Sequence, residues 1–263
     1  MSSRPAPIYD TIGQTYSANR QTDPRWAGLI NQQLDGARSV LNVGAGAGSY
    51  EPLHAAVDVV AVEPSSVMVE QRPAGAAPVI RALGTALPFA DGAFEAVMAV
   101  LTVHHWGDWR TGLAELRRVA PLRVVLAIDF EAHANVWFLR DYVPAVAAVE
   151  RTLSPSADQI AAELPNSSVI PLPLPDDMAD AVLGSHWRHP EAFLDPVVRA
   201  NCSPLALADP AVVEKGVARL ADDLASGAWS RTYADLLECE TYDAGYRLVV
   251  SDERVRRQEP AAD

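Results

Sequence analysis

The sequence predicts an α/β fold, a mostly parallel sheet with helices on both faces. Three observations carry this. Five short runs are rich in valine and isoleucine: SVLNV (39–43), DVVAV (58–62), PVIRA (78–82), FEAVMAVL (94–101) and RVVLAI (123–128). The runs are nearly continuous in apolar residues, as strands covered on both faces are. They are separated by Gly, Pro or helix-like stretches, the order expected of βαβ units.

The remaining elements follow in chain order. Residues 1–29 carry Pro5, Pro7, Gly13 and Pro24 among polar residues, and read as a helical arm rather than a core strand. Helices are predicted over 65–72, 108–119 and 134–152; in the second, Leu113, Leu116 and Ala120 recur at helical spacing while Arg117 and Arg118 face outward. SSVIPLPL (167–174) contains two prolines, which confine it to a sheet edge. Residues 176–235 read as helical, and YRLVV (246–250) as the next strand. The expected organisation is an N-terminal arm or lid (1–29), an α/β domain (30–175 with 236–253), a helical cap (176–235) and a charged tail (254–263).

Composition excludes several classes. The 263 residues contain 21 Lys plus Arg against 34 Asp plus Glu, a net charge of −13, which disfavours nucleic acid and anionic lipid as partners. Lys215 is the single lysine, so no Gly-Lys-Ser/Thr phosphate loop exists. Schiff-base chemistry would rest on that residue alone. Cys202 and Cys239 cannot form a disulfide framework or a thiolate zinc site. The opening MSSRPAPIYD lacks an apolar core, and no apolar run approaches the ~18 residues of a membrane span. A reduced, cytoplasmic, soluble protein is expected.

SVLNV runs directly into Gly44-Ala45-Gly46-Ala47-Gly48-Ser49. A strand, a glycine loop and then a helix bring backbone N–H groups close to a ligand. Glu63 ends the next strand, nineteen positions after Gly44, where a carboxylate can accept both hydroxyls of a ribose. The dinucleotide fingerprint would place a third glycine at Ser49, so the spacing is not that pattern.

The segment from Gly84 to Val97, GTALPFADGAFEAV, joins VLNVGAGAGSYEP and VVAVEPS in an order that resembles a class I S-adenosylmethionine-dependent methyltransferase. The similarity runs from about Val40 to Asp129, with further likeness in Tyr9-Asp10, Tyr16, Arg20 and GYRLVV. The resemblance implies a Rossmann-like, seven-stranded sheet, YRLVV inserted antiparallel, and S-adenosylmethionine as cofactor with S-adenosylhomocysteine as product. It implies that Gly44, Ala45, Gly46 and Gly48 wrap the methionine part and ribose, that Glu63 takes the ribose hydroxyls, and that Pro64, Ser65 and Met68 border the adenine. By the same resemblance, Leu83, Gly84 and Thr85 touch the adenine edge and Leu101 and Thr102 lie under the methionine chain. Tyr16 and Arg20 fold over as a lid, with Arg20 as partner for the cofactor carboxylate. Two positions depart from the family pattern: Asn42 stands where Asp is common, and Leu83 where an acidic residue is.

Thr102-Val103-His104-His105-Trp106 follows the fourth strand, at the end of an open sheet where ligands bind. His104 and His105 are the candidate catalytic residues, because histidine transfers protons near neutral pH. Adjacent residues on an extended chain point opposite ways, so at most one is expected to face the cavity. His186 and His189 precede Pro190 without an obvious third ligand; packing with Trp137 and Trp187 is the simpler reading, and no metal site is assigned. Asp176 and Asp177 are weak cavity candidates. The expected activity is methyl transfer to O, N or C of a small-molecule acceptor. An NAD-dependent oxidoreductase uses a similar loop, but Lys215 has no Tyr four residues before it. A binding module without turnover would fit Asn42 and Leu83. Oligomeric state is not legible.

Overall fold

Short apolar segments become strands wherever both faces find a helix to bury them. The computed structural model describes residues 9–12, 20–52, 56–153 and 155–254. Its strands are β1 (Ser39–Val43), β2 (Asp58–Val62), β3 (Val79–Ile80), β4 (Ala96–Val100), β5 (Leu122–Ile128), β6 (Ser167–Pro171), β7 (Leu174–Pro175), β8 (Thr241–Tyr242) and β9 (Tyr246–Asp252). Seven of them form one sheet in the order β3-β2-β1-β4-β5-β9-β6. β1 to β5 pair in parallel. β9 runs antiparallel to both β5 and β6. The fold is thus the Rossmann-like sheet with the antiparallel insertion.

The pleat sorts the core into two layers. Val40, Ala96, Met98, Val124 and Leu126 face one side, where Trp26 and Ile30 of the helix Pro24–Gln33 and the cap aromatics meet them. Leu41, Val43, Val97, Ala99 and Val125 face the other, against Leu113, Leu116 and Val119 of the helix Trp109–Val119 and Ile160 of the helix Ala157–Glu163. β1 and β4 are neighbours although distant in sequence, and the chain leaves them in the crevice where strand order reverses.

Several elements differ from the sequence-based expectation. The helix expected over 134–152 is a helix Phe130–His133, a π-helical turn Phe138–Tyr142 and a helix Pro144–Leu153. Pro144 cannot donate the backbone bond that would continue the helix through it. The helix Pro24–Gln33 crosses the boundary drawn at residue 29 and buries Trp26 and Ile30. β6 is an edge strand as its prolines require, but the expected run to 174 divides. β7 leaves the sheet to form a two-stranded ribbon with β8. Residues 176–235 hold helical turns and helices, including Pro210–Ala225 and Ala228–Thr232. Trp137, Phe138, Phe193, Trp229 and Tyr233 form an aromatic cluster there, with Phe138 and Phe193 stacked at 4.1 Å between centroids.

Asp23 ties the first long helix to the cap. Its fully buried carboxylate accepts the Arg25 N–H at 2.9 Å, the Arg25 guanidinium at 2.6 Å and the Ala179 N–H at 3.0 Å. Burial pushes its pKa up, but these donors outweigh burial and hold the carboxyl at about 2. Asp23→Ala is expected to cost about 2 kcal/mol, a lost helix cap plus an orphaned N–H, read as a lower urea midpoint at unchanged slope.

Candidate active site

The glycine loop owes its shape to left-handed backbone that only glycine adopts freely. Gly44, Gly46 and Gly48 have φ of 68°, 53° and 95°. They keep accessible surface, whereas Ala45 and Ala47 between them are buried. The loop therefore packs its methyl groups inward and presents bare backbone outward. A Cβ on Gly44 would run into Thr102 Oγ1, so the loop and the end of β4 meet in direct contact.

Glu63 is 6% exposed and reaches back to the loop. One carboxylate oxygen accepts the Gly46 N–H at 2.8 Å and the other the Ser65 N–H at 2.8 Å. Burial raises its pKa above the ordinary carboxyl range, against the pull of the two N–H donors. Two backbone donors fix the plane of the carboxylate and leave further lone pairs for hydroxyl donors. Ser65 caps the helix Ser66–Glu70, which places buried Met68 beside Gly46. Pro64 is half-buried and its carbonyl accepts Arg81.

Leu83 is half-buried and bridges to Ala86, while Gly84 is buried beside Thr85. A Cβ on Gly84 would lie 2.8 Å from the Trp106 ring, and one on Gly112 would collide with the same ring. Trp106 is wedged in that slot and donates to Thr102 Oγ1 at 3.1 Å. Leu101 has φ of 51°, a conformation that bulky residues adopt only under constraint. It turns the chain sharply out of β4, and His104 and His105 follow on a tight helical turn, Val103–His105.

That turn alters the expectation for the histidines. They do not sit on extended chain, and their rings lie side by side with centroids 3.8 Å apart. Both are half-buried. Burial pushes His105 down to about 4 and His104 well below the ordinary range, so both are neutral at pH 7. His104 meets the edge of Phe130 at 5.9 Å and lies within electrostatic reach of His133 and Arg20. His105 Nε2 shares a 3.1 Å hydrogen bond with the Tyr9 hydroxyl.

Tyr9 and Asp10 of the short helix Tyr9–Ile12 reach two parts of the site. Tyr9 meets His105, and Asp10 accepts a 2.6 Å bond from the Ser65 hydroxyl. Tyr16 lies outside the described residues. Arg20 forms a bidentate pair with Asp180 of the cap, and Asp180 also accepts the Tyr50 hydroxyl at 2.9 Å. Arg20 is thus engaged by a carboxylate of this chain, where the family resemblance implies a cofactor carboxylate. Asp176 pairs with Arg188 and Asp177 with Arg25, and Asp177 points to solvent. His186 rests edge-on against Phe193, while His189 faces Glu191.

Sequence reasoning misses Glu51, Arg72, His133 and Asp180. The buried His133 ring accompanies Phe130 and Tyr246, and its Nδ1 meets the Ala244 carbonyl at 2.6 Å. Glu51 bonds Asn42 and Arg72 beneath the loop. The absence of the usual Asp at Asn42 is the one signal that a nearby acid has to replace it.

Comparison with known proteins places this geometry. Residues 41–128 match the family model described as "Methyltransferase domain". An uncharacterized methyltransferase of Mycobacterium sp. strain JLS is 36% identical over 124 residues, 45% of this chain and 48% of that protein. The match thus spans about half the length of this curated relative. A crystal structure from Anabaena variabilis ATCC 29413, described as a candidate methyltransferase from an antibiotic biosynthesis pathway, is 29% identical. It superposes with a TM-score of 0.81 over 89% of this chain and 98% of that one. The YcgJ protein from Bacillus subtilis, at 17% identity and a TM-score of 0.54 over 87% of this chain and 99% of that one, shares the fold. No helix among the described residues is long and apolar enough to cross a membrane. With the sheet order, the glycine loop and the Glu63 geometry, the methyltransferase-domain match over residues 41–128 and these relatives support a class I S-adenosylmethionine-dependent methyltransferase.

Proposed function

We propose that this protein transfers a methyl group from S-adenosylmethionine to a small-molecule acceptor, on O, N or C. The observation that carries the reading is the Glu63 carboxylate, fixed by the Gly46 and Ser65 N–H groups beside a loop of exposed glycine backbone. The donor set suits the cofactor. A buried acid with spare lone pairs accepts paired ribose hydroxyls, and a Cβ at Gly46, already 3.1 Å from Met68 Cε, would narrow the space beside the loop. Gly44, Ala45, Gly46 and Gly48 would hold the methionine part and ribose. Pro64, Ser65, Met68, Leu83, Gly84 and Thr85 would hold the adenine, and Leu101 and Thr102 would support the methionine chain.

When bound, S-adenosylmethionine supplies an electrophilic methyl group on a sulfonium. The protein itself must provide alignment, exclusion of water and, for an acceptor that loses a proton, a base. His104 would be the base: it is unprotonated at neutral pH, meets Phe130 and lies within electrostatic reach of His133 and Arg20. His105, bonded to Tyr9, would be held in place by the helix Tyr9–Ile12. The Arg20–Asp180 pair would tie the chain ahead of the helix Pro24–Gln33 to residues 176–235. The Anabaena relative's antibiotic pathway agrees with a small-molecule acceptor. A cytoplasmic location accords with Cys202 and Cys239 standing outside any disulfide.

S-adenosylhomocysteine is expected to bind with a micromolar dissociation constant, about −8 kcal/mol, and to raise the melting temperature. NAD is expected to leave it unchanged. No heat and no thermal shift with S-adenosylhomocysteine at millimolar concentration would overturn the reading.

A further inference from the structure

We propose that Arg72 is a positioning residue for the cofactor-binding loop, anchored by Glu51 and acting through Gly46 on Glu63. The inference rests on the cofactor reading above. Arg72 and Glu51 form a buried ion pair at 2.7 Å, with side chains 5% and 1% exposed. Arg72 Nη1 donates to the Gly46 carbonyl at 3.2 Å, and Nη2 donates to the Ala77 carbonyl at 3.0 Å as well as to Glu51. Glu51 accepts the Ala77 N–H and the Asn42 side-chain amide, both at 3.2 Å.

Both backbone polar groups of Gly46 are therefore clamped. Its N–H is held by Glu63 at 2.8 Å and its carbonyl by Arg72. Between them the residue is kept at φ of 53°, a conformation with no side chain to hold it. Releasing the carbonyl frees the Gly46–Ala47 peptide unit, and through the Gly46 φ and ψ this loosens the preceding unit, whose N–H orients the Glu63 carboxylate. Arg72 also favours the ionised form of Glu63 electrostatically. The network explains Asn42 too. The neutral amide on β1 is followed nine positions later by Glu51, which supplies the negative charge beneath the loop from a different backbone position. A planar guanidinium can reach Glu51 and two carbonyls together, which an ammonium does less well.

The test uses two variants of the full chain, with S-adenosylhomocysteine as the probe. Glu51→Gln/Arg72→Met removes both charges, so no lone charge is left buried, and it is expected to fold with a melting temperature near wild type. Its dissociation constant for S-adenosylhomocysteine is expected to rise at least tenfold, and its Gly46 amide proton to exchange faster in the ligand-free protein. Arg72→Lys keeps the charge pair and is expected to show a smaller rise with the same faster exchange. If the double variant does not fold, Arg72→Lys decides by the same two readouts. Wild-type affinity in a folded variant, or weaker binding with unchanged Gly46 exchange, would overturn the proposal. Failure of the wild-type protein to bind the probe would count against the cofactor reading instead, while Gly46 exchange would still test the clamp.

Discussion

His104→Ala is expected to lower kcat by about 10²–10⁴-fold while leaving S-adenosylhomocysteine affinity nearly unchanged, provided the acceptor loses a proton on transfer. The motivation is geometric. The ring sits on the turn out of β4, meets the edge of Phe130 and is neutral because burial disfavours its cation. His105→Ala is expected to have a smaller effect on kcat and to loosen the helix Tyr9–Ile12 through loss of the Tyr9 bond. The pH dependence follows from the direction of the shift. A histidine whose pKa is lowered stays unprotonated down through pH 6.5. The His104-dependent limb should therefore be flat from pH 8 to 6.5 and fall only in more acidic solution. Steady-state kinetics on the acceptor, or on a slow surrogate, reads both quantities. Wild-type kcat in both single variants would exclude general-base catalysis by the pair, leaving alignment and desolvation as the mechanism.

Glu63→Ala is expected to weaken S-adenosylhomocysteine binding by about 10²-fold and at least tenfold. Charge-assisted hydrogen bonds to two hydroxyls are worth roughly 1.5–3 kcal/mol each, and the same substitution strips the Gly46 and Ser65 N–H groups of their acceptor. Binding should also weaken in acid, because a raised carboxyl pKa brings protonation of Glu63 closer to neutrality. Glu63→Gln keeps one acceptor and should fall between the two. Isothermal calorimetry at pH 5 and 8 tests both statements, and unchanged affinity in Glu63→Ala would remove Glu63 from the ribose.

The parts of this molecule legible in its sequence are those fixed by local pattern. β1, β2, β4 and β5 match the valine-rich runs to within a residue or two because burial on both faces demands continuous apolar residues. Gly44, Gly46, Gly48 and Glu63 are readable because loop and acid follow consecutive strands at a set distance. β3 shrinks to Val79–Ile80, and β7 and β8 are two residues each, too short for any periodicity to register. The site residues that escape are charged or polar groups whose roles come from tertiary contact. Arg72 sits in a polar turn, Asp180 in an acidic stretch and Glu51 beside a proline, where solvated side chains are the ordinary outcome. Only folding brings Arg72 beneath Gly46 and Asp180 against Arg20 and Tyr50. The arrangement of His104 and His105 departs from the sequence pattern for a related reason. Leu101 at positive φ converts what would be extended chain into a turn that puts both rings on one side.

The glycine loop and Glu63 are proposed to hold the cofactor with its sulfur end toward His104, and a crystal structure with S-adenosylhomocysteine tests this most directly. Both ribose hydroxyls are expected within hydrogen-bond distance of the Glu63 carboxylate, the homocysteine chain against Gly44 and Thr102, and the sulfur facing His104. A ligand bound with its ribose away from Glu63, or with its sulfur turned from His104, would contradict it.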